Sequence, residues 1–121
     1  MIKKLDWSHD AILAYEASGQ FSAQENSQVL TEVKETIEKH GKVRLLVKLP
    51  EIAYPEATSI KDRLNFAKEY KNSIERYALV SNITAMEWIS TIAGMFTGIE
   101  FRSYSMDDEI KARAWLEAKH V

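Results

Sequence analysis

Any chemistry in this chain has to come from three histidines, one acidic pair and a few polar residues at the ends of apolar runs. His9, His40 and His120 fall in a turn, at a helix end and near the C-terminus. None has a second histidine or a carboxylate at metal-ligand spacing on one element, so they read as surface or capping residues and no metal site is expected. Asp107-Asp108 stands where the last helix begins, and negative charge there complements the helix macrodipole. Ser81 and Asn82 follow an apolar run at the carboxyl edge of the expected sheet, where open α/β folds take ligands. They are either polar ligand contacts or simple caps of a strand-to-helix join. The sequence has no cysteine, which removes thiolate nucleophiles, thiolate metal sites and disulfides together. No serine, lysine or carboxylate has an activating partner at recognisable spacing. The expectation is a protein with no catalytic residue and no cofactor, not an enzyme.

The elements that must position these residues are legible from periodicity. The chain of 121 residues is expected to form a single domain, 1–121, because domains commonly hold about 100–150 residues. Its composition, 45% hydrophobic and 28% charged, with a net charge of −2, is that of a globular protein rather than a disordered one. Lys and Arg are spread along the sequence, so no basic face invites a phosphate backbone and no nucleic-acid partner is expected. MIKKLDWSHD lacks the apolar run of a signal peptide, which with the missing cysteines gives a cytoplasmic expectation.

Ile2 to Trp7 and Ile12 to Ala17 read as a hairpin around the polar turn Ser8-His9-Asp10. Ser22-Ala23-Gln24-Glu25 is a capping box, and Val29, Leu30, Val33 and Ile37 carry the helix it opens as far as Gly41. VRLLVKL, ending at Pro50, reads as a central strand. PEIAYPEATS is expected to be a loop, followed by a second helix from Ser59 to about Tyr70 carrying Ile60, Leu64, Ala67 and Tyr70. RYALVS forms the next strand, and Thr84-Ala85-Met86-Glu87 a second capping box opening a third helix. EFRSYS alternates as an outer strand would, and Met106 to Ala118 forms a fourth helix through Ile110, Ala114, Trp115 and Leu116. Strands alternating with helices predict an α/β sandwich with parallel neighbours and an antiparallel edge from the opening hairpin.

The third helix is unusual in its charge. From Tyr77 to Ile99 the only charged residue is Glu87, yet the run is too short and too often interrupted by polar residues and glycine to span a bilayer. At about 100° per residue, Ala85, Ile89, Ile92 and Phe96 form one stripe while Trp88 and Met95 sit together on its flank. The apolar arc is wider than packing on a sheet requires. The readings are a well-buried helix, an interface with another chain, or a face that meets lipid or an apolar ligand. Lys61, Arg63, Lys68 and Lys71 on the second helix supply the basic charge that a membrane-surface helix normally carries.

The runs GKVRLLVKL, ERYALVSNITAMEWI and MFTGIEFRSYSMDDEIKARAWL together resemble the SpoIIAA-like family, a STAS-type group of small bacterial proteins, over nearly the whole chain. The landmarks are the strand after Gly41-Lys42, the Glu75-Arg76 entry to the next strand, a Trp in the third helix, the Phe96-Thr97-Gly98 exit and Ala114-Trp115-Leu116. The resemblance implies a sheet of four or five strands flanked by helices, a homodimer in some members, a fold shared with lipid-binding CRAL-TRIO domains, and no enzyme. Phosphoregulated STAS antagonists carry a serine in an Asp-x-Ser-Gly-like motif after the third strand. Here PEIAYPEATSIKD offers Thr58 and Ser59 without that motif. Two functional expectations follow. The first is a dimeric module that binds an apolar or lipid-like ligand, or the inner face of a membrane peripherally, through the second and third helices (Trp88, Met95, Ile92, Phe96). The alternative is a partner-switching regulator that works through protein contacts near Thr58 and Ser59.

Overall fold

In the computed structural model, residues 1–50, 53–55, 65–66, 68–70, 72–82 and 100–118 are described. β1 (Ile2–Lys4), β2 (Ile12–Ala17), β4 (Val43–Leu49), β6 (Ile74–Ser81) and β7 (Glu100–Tyr104) form one sheet in the order β1-β2-β4-β6-β7. β1 runs antiparallel to β2, and every later pairing is parallel. This is the expected five-stranded mixed sheet with its antiparallel hairpin edge. β1 ends at Lys4 rather than Trp7. The turn beyond it closes through paired bonds between the backbones of His9 and Ile12 (3.0 and 2.9 Å). Asp10 takes a left-handed φ of 51° there, a conformation its short polar side chain tolerates.

PEIAYPEATS departs from its reading as a loop. β5 (Ala53–Pro55) lies within it and pairs in parallel with β3 (Gly19–Phe21) as a separate two-stranded sheet. Three residues joined to a segment distant in sequence carry no local periodicity, which is why pattern reading passes over them.

Among the described residues there are three helical segments where four were expected: α1 (Ala23–His40), α2 at residues 65–66 and 68–70, and α3 (Glu109–Glu117). The expected helix over residues 84–97 lies outside the described residues, as does the start of the second. α1 opens with the full capping box, since the Ser22 hydroxyl accepts from the Glu25 amide (3.1 Å) and Glu25 accepts from the Ser22 amide (3.2 Å). It ends at Gly41, whose φ of 79° is the left-handed stop that glycine adopts without steric cost. The last helix begins later than expected, because Met106–Asp108 is a 3-10 turn.

Strand alternation divides the core cleanly. Leu13, Tyr15, Val43, Leu45, Tyr77 and Leu79 face α1 through Val33 and Ile37, with Phe66 and Tyr70 of α2 packed against them. Ile12, Ala14, Leu46, Ala78 and Val80 face the other way, onto Ala112 and Leu116 of α3. Ile74 joins the first set despite its even number because the register shifts between Val43 and Arg44, so that Val43 pairs Ile74 while Arg44 pairs Arg76. The extra residue, Glu75, is on β6, so Ile74 turns to the first face while Val43 keeps the facing of Leu45. Small side chains at Ala14, Ala78 and Ala112, all fully buried, let α3 approach the sheet. Its buried stripe is Ala112 and Leu116, whereas Ile110, expected on that stripe, is 82% exposed and Ala114 is exposed as well.

Candidate functional site

Two apolar strands each carry an arginine, and the register of β4 with β6 sets Arg44 directly beside Arg76. Both are buried, at 8% and 6% exposure, and both reach the end of α3. Arg44 Nη1 donates to the carbonyls of Leu116 (2.6 Å) and Ala118 (2.7 Å), and Arg76 Nη1 donates to those of Trp115 and Ala118 (2.9 Å). Cations at a helix C-terminus answer its unsatisfied carbonyls and its dipole together. Glu75 balances the first guanidinium, accepting from Arg44 Nε (3.0 Å) and Nη2 (2.6 Å) with Lys42 at 3.3 Å. Burial works against ionisation of Glu75, but the bonds and charges of Arg44 and Lys42 outweigh it and hold the carboxyl below its usual range. Glu100 approaches Arg76 Nε at 3.5 Å.

A second polar group lies on the other face. The Tyr15 hydroxyl, in a buried residue of β2, donates to Glu32 of α1, and Lys4 Nζ donates to the other Glu32 oxygen at 2.9 Å. Burial raises the Tyr15 phenol well above its ordinary value, and the adjacent carboxylate adds to the effect. Burial also opposes the charge on Glu32, yet the bonds from Tyr15 and Lys4 prevail and lower its pKa. A phenol held neutral beside a carboxylate held ionised is a fixed bond, poised to exchange no proton near neutral pH.

Above this pair a cleft of about 250 Å³ opens between the turn after β1 and the C-terminal half of α1, with Lys4, His9, Asp10, Glu32, Lys39 and His40 among its walls. Tertiary structure therefore brings His9 and His40, far apart in sequence, to one place. His9 Nδ1 lies 2.8 Å from the Trp7 carbonyl, which can only accept, so Nδ1 carries the proton. No group of three or more histidines and acidic residues among the described residues is arranged to hold a metal.

The other expected site residues take local roles where they are described. The Ser81 hydroxyl donates to the Leu49 carbonyl (3.1 Å), and Asn82 Oδ1 accepts from the Met106 amide (2.9 Å). The carboxyl edge of the sheet is thus joined to the turn before α3. Asp108 accepts from the Ser105 hydroxyl (3.2 Å) and pairs with Lys111 (3.6 Å). Trp88, Ile92, Met95, Phe96, Thr58, Ser59 and His120 lie outside the described residues. Sequence reading passed over Arg44 and the Tyr15–Glu32 pair, and took Arg76 only as a landmark at the entry to its strand. The usable signal was an arginine inside each of two runs otherwise fit for buried central strands, which demands a buried partner.

A five-stranded mixed sheet, parallel but for its first strand and closed on one face by a terminal helix, defines a STAS-type module. The sequence pattern of the SpoIIAA-like family matches residues 12–117, and the chain belongs to that family. A similar fold is seen in the crystal structure of an uncharacterised DUF3478-family protein with a SpoIIAA-like fold from Shewanella loihica PV-4. That protein is 20% identical, with a TM-score of 0.70 over 96% of this chain and 92% of that one. No curated protein matches the chain.

Proposed function

We propose that this STAS-type module is non-enzymatic, acts as a homodimer and binds an apolar, lipid-like molecule or a membrane surface through residues 60–70 and 83–98. The supporting observation is the pairing of β6 with β7. They are parallel neighbours, so residues 83–99 make the crossover between them, and Glu87 is the only charge in that connection. The internal ionisable groups fit a binding role, because Arg44, Arg76, Glu75, Tyr15 and Glu32 all hold elements together. Among the described residues no helix is long and apolar enough to cross a membrane, in keeping with a peripheral contact.

The test is the double substitution Trp88→Ser with Met95→Ser in the full chain. A folded variant that loses flotation on phosphatidylglycerol vesicles, or that loses a lipid retained by the wild type in native mass spectrometry, supports the reading and separates its two sources. Unfolding of the variant assigns both residues to the core. A stable variant with unchanged flotation, retained ligand and association removes this face from consideration. Phosphate on Thr58 or Ser59 with no retained lipid would favour the partner-switching alternative.

A further inference from the structure

The sheet has two edges of different character. β1 offers only three residues, with Lys3 and Lys4 exposed, and short strands carrying lysine discourage edge-to-edge pairing. β7 offers five residues, Glu100–Tyr104. It pairs with β6 on one side, and no described residue pairs with the other. Glu100, Arg102 and Tyr104 alternate onto the α3 face, where the Arg102 guanidinium lies 4.9 Å from the Trp115 ring centre. Phe101 points to the opposite face and stacks on Tyr77 at 5.7 Å.

We propose that β7 is the surface through which two copies of this chain join, antiparallel and about a two-fold axis, so that two five-stranded sheets become one. This rests on the dimeric part of the function proposed above and assigns it a place. Two-fold symmetry sharply limits the possible registers. Backbone groups alternate in direction along a strand, so only registers centred on a residue, not between residues, let outward-facing groups meet. Centring on Glu100 sets that carboxylate against itself, and centring on Arg102 sets two guanidinium groups together. Centring on Ser103 or Tyr104 sets neither Glu100 nor Arg102 opposite a charged residue of the partner's strand. Centring on Phe101 places Glu100 opposite the partner's Arg102, twice by symmetry, and Phe101 opposite the partner's Phe101. Opposite charges and aromatic pairs across strands both stabilise a ladder, and like charges destabilise it. The charges thus select one register, in which the Tyr77–Phe101 stack continues across the axis. Glu100 has a side chain 47% exposed beside Arg76, and Arg102 is exposed, so both can reach a partner.

The test is sedimentation and native mass spectrometry of the full chain over a concentration series, with thermal melts on every variant. Arg102→Glu should raise the dimer dissociation constant about tenfold or more by setting carboxylates against carboxylates. Combining it with Glu100→Arg recreates both ion pairs in reverse and should restore association. In the wild type, amide protection of β7 should rise with concentration in step with the dimer fraction while β1 does not change, a readout that needs no variant. A wild type that is monomeric throughout overturns this inference and the dimeric reading together. A dimer indifferent to Arg102→Glu, or a double variant as weak as the single one, overturns the β7 interface and leaves the dimeric reading standing.

Discussion

Arg44 and Glu75 show how much a single buried ion can matter in this fold. Their side chains are 10% and 17% exposed, so removing one leaves the other stranded in a poorly solvated place. Arg44→Met should destabilise the protein by about 3 kcal/mol, the low end for a broken buried pair because Lys42 still attends Glu75. Lys111, paired with Asp108 but 75% exposed, gives the contrast. Lys111→Ala should change stability by less than about 0.5 kcal/mol in the same chemical denaturation series. The Tyr15–Glu32 bond makes a pH prediction with two limbs. Glu32 and Glu75 are lowered from 4.5, so their contribution is complete above that value and is lost as pH falls through the lower folded values. Tyr15 is raised from 10.0, so its contribution is complete below pH 10.0 and is lost as pH rises beyond it. Melting temperature against pH should therefore fall at both ends. Tyr15→Phe should flatten the alkaline limb, and Glu75→Gln the acid limb, and unchanged profiles would refute both assignments.

At the scale of the element, α1 and α3 are secured differently. α1 depends on its cap, and Glu25 serves two elements because its second oxygen accepts the Ile2 amide at 2.7 Å. Those backbone bonds from Ile2 and Ser22 lower its pKa. Ser22→Ala should cost about 1 kcal/mol, an ordinary cap loss. Glu25→Ala should cost more and also speed amide exchange in β1, which a purely local cap would leave unchanged. α3 depends on its two buried side chains, on the arginines at its C-terminal end, and on Lys48, which meets Glu109 at 2.6 Å near its start. Leu116 is wholly buried, so Leu116→Ala should cost about 2–5 kcal/mol through lost burial and a residual cavity. Ile110→Ser should stay within about 0.5 kcal/mol, because that side chain already stands in water. Equilibrium unfolding of both variants tests whether the helix is turned as described.

Over the whole molecule, the order β1-β2-β4-β6-β7 ranks the strands by protection. β4 lies at the centre with parallel partners on both sides and apolar contacts on both faces. Its amides and those of β6 should exchange slowest, near the rate of global unfolding, with β1 among the fastest. Slowest exchange in β1 would contradict this sheet order. The two faces are also held by different means. Among the described residues, one is covered by α1 and α2 with aromatic rings at 4.6 Å between Phe66 and Tyr70, the other by α3, fixed at both ends by charge. Variants of Arg44 should therefore free α3 before they loosen α1, which exchange measured helix by helix can detect.

The sequence by itself determined what depends on neighbours in the chain. The Ser22–Glu25 cap, the Gly41 stop, the hairpin turn at Ser8-His9-Asp10 and the apolar runs of β4 and β6 are each specified within a few residues by hydrogen-bonding groups, allowed φ or period. The parallel order followed because alternating strands and helices leave few other connections. Tertiary structure alone decided the rest. The α3 stripe runs through Ala112 and Leu116 rather than Ile110 because the helix turns to fit small side chains on the sheet and to bring its last carbonyls to Arg44 and Arg76. Those arginines became neighbours through the register of β4 with β6, which no periodicity announces. Tyr15 found Glu32, and His9 came to the cleft beside His40, across separations at which propensity and pattern carry no information, since only packing brings such residues together.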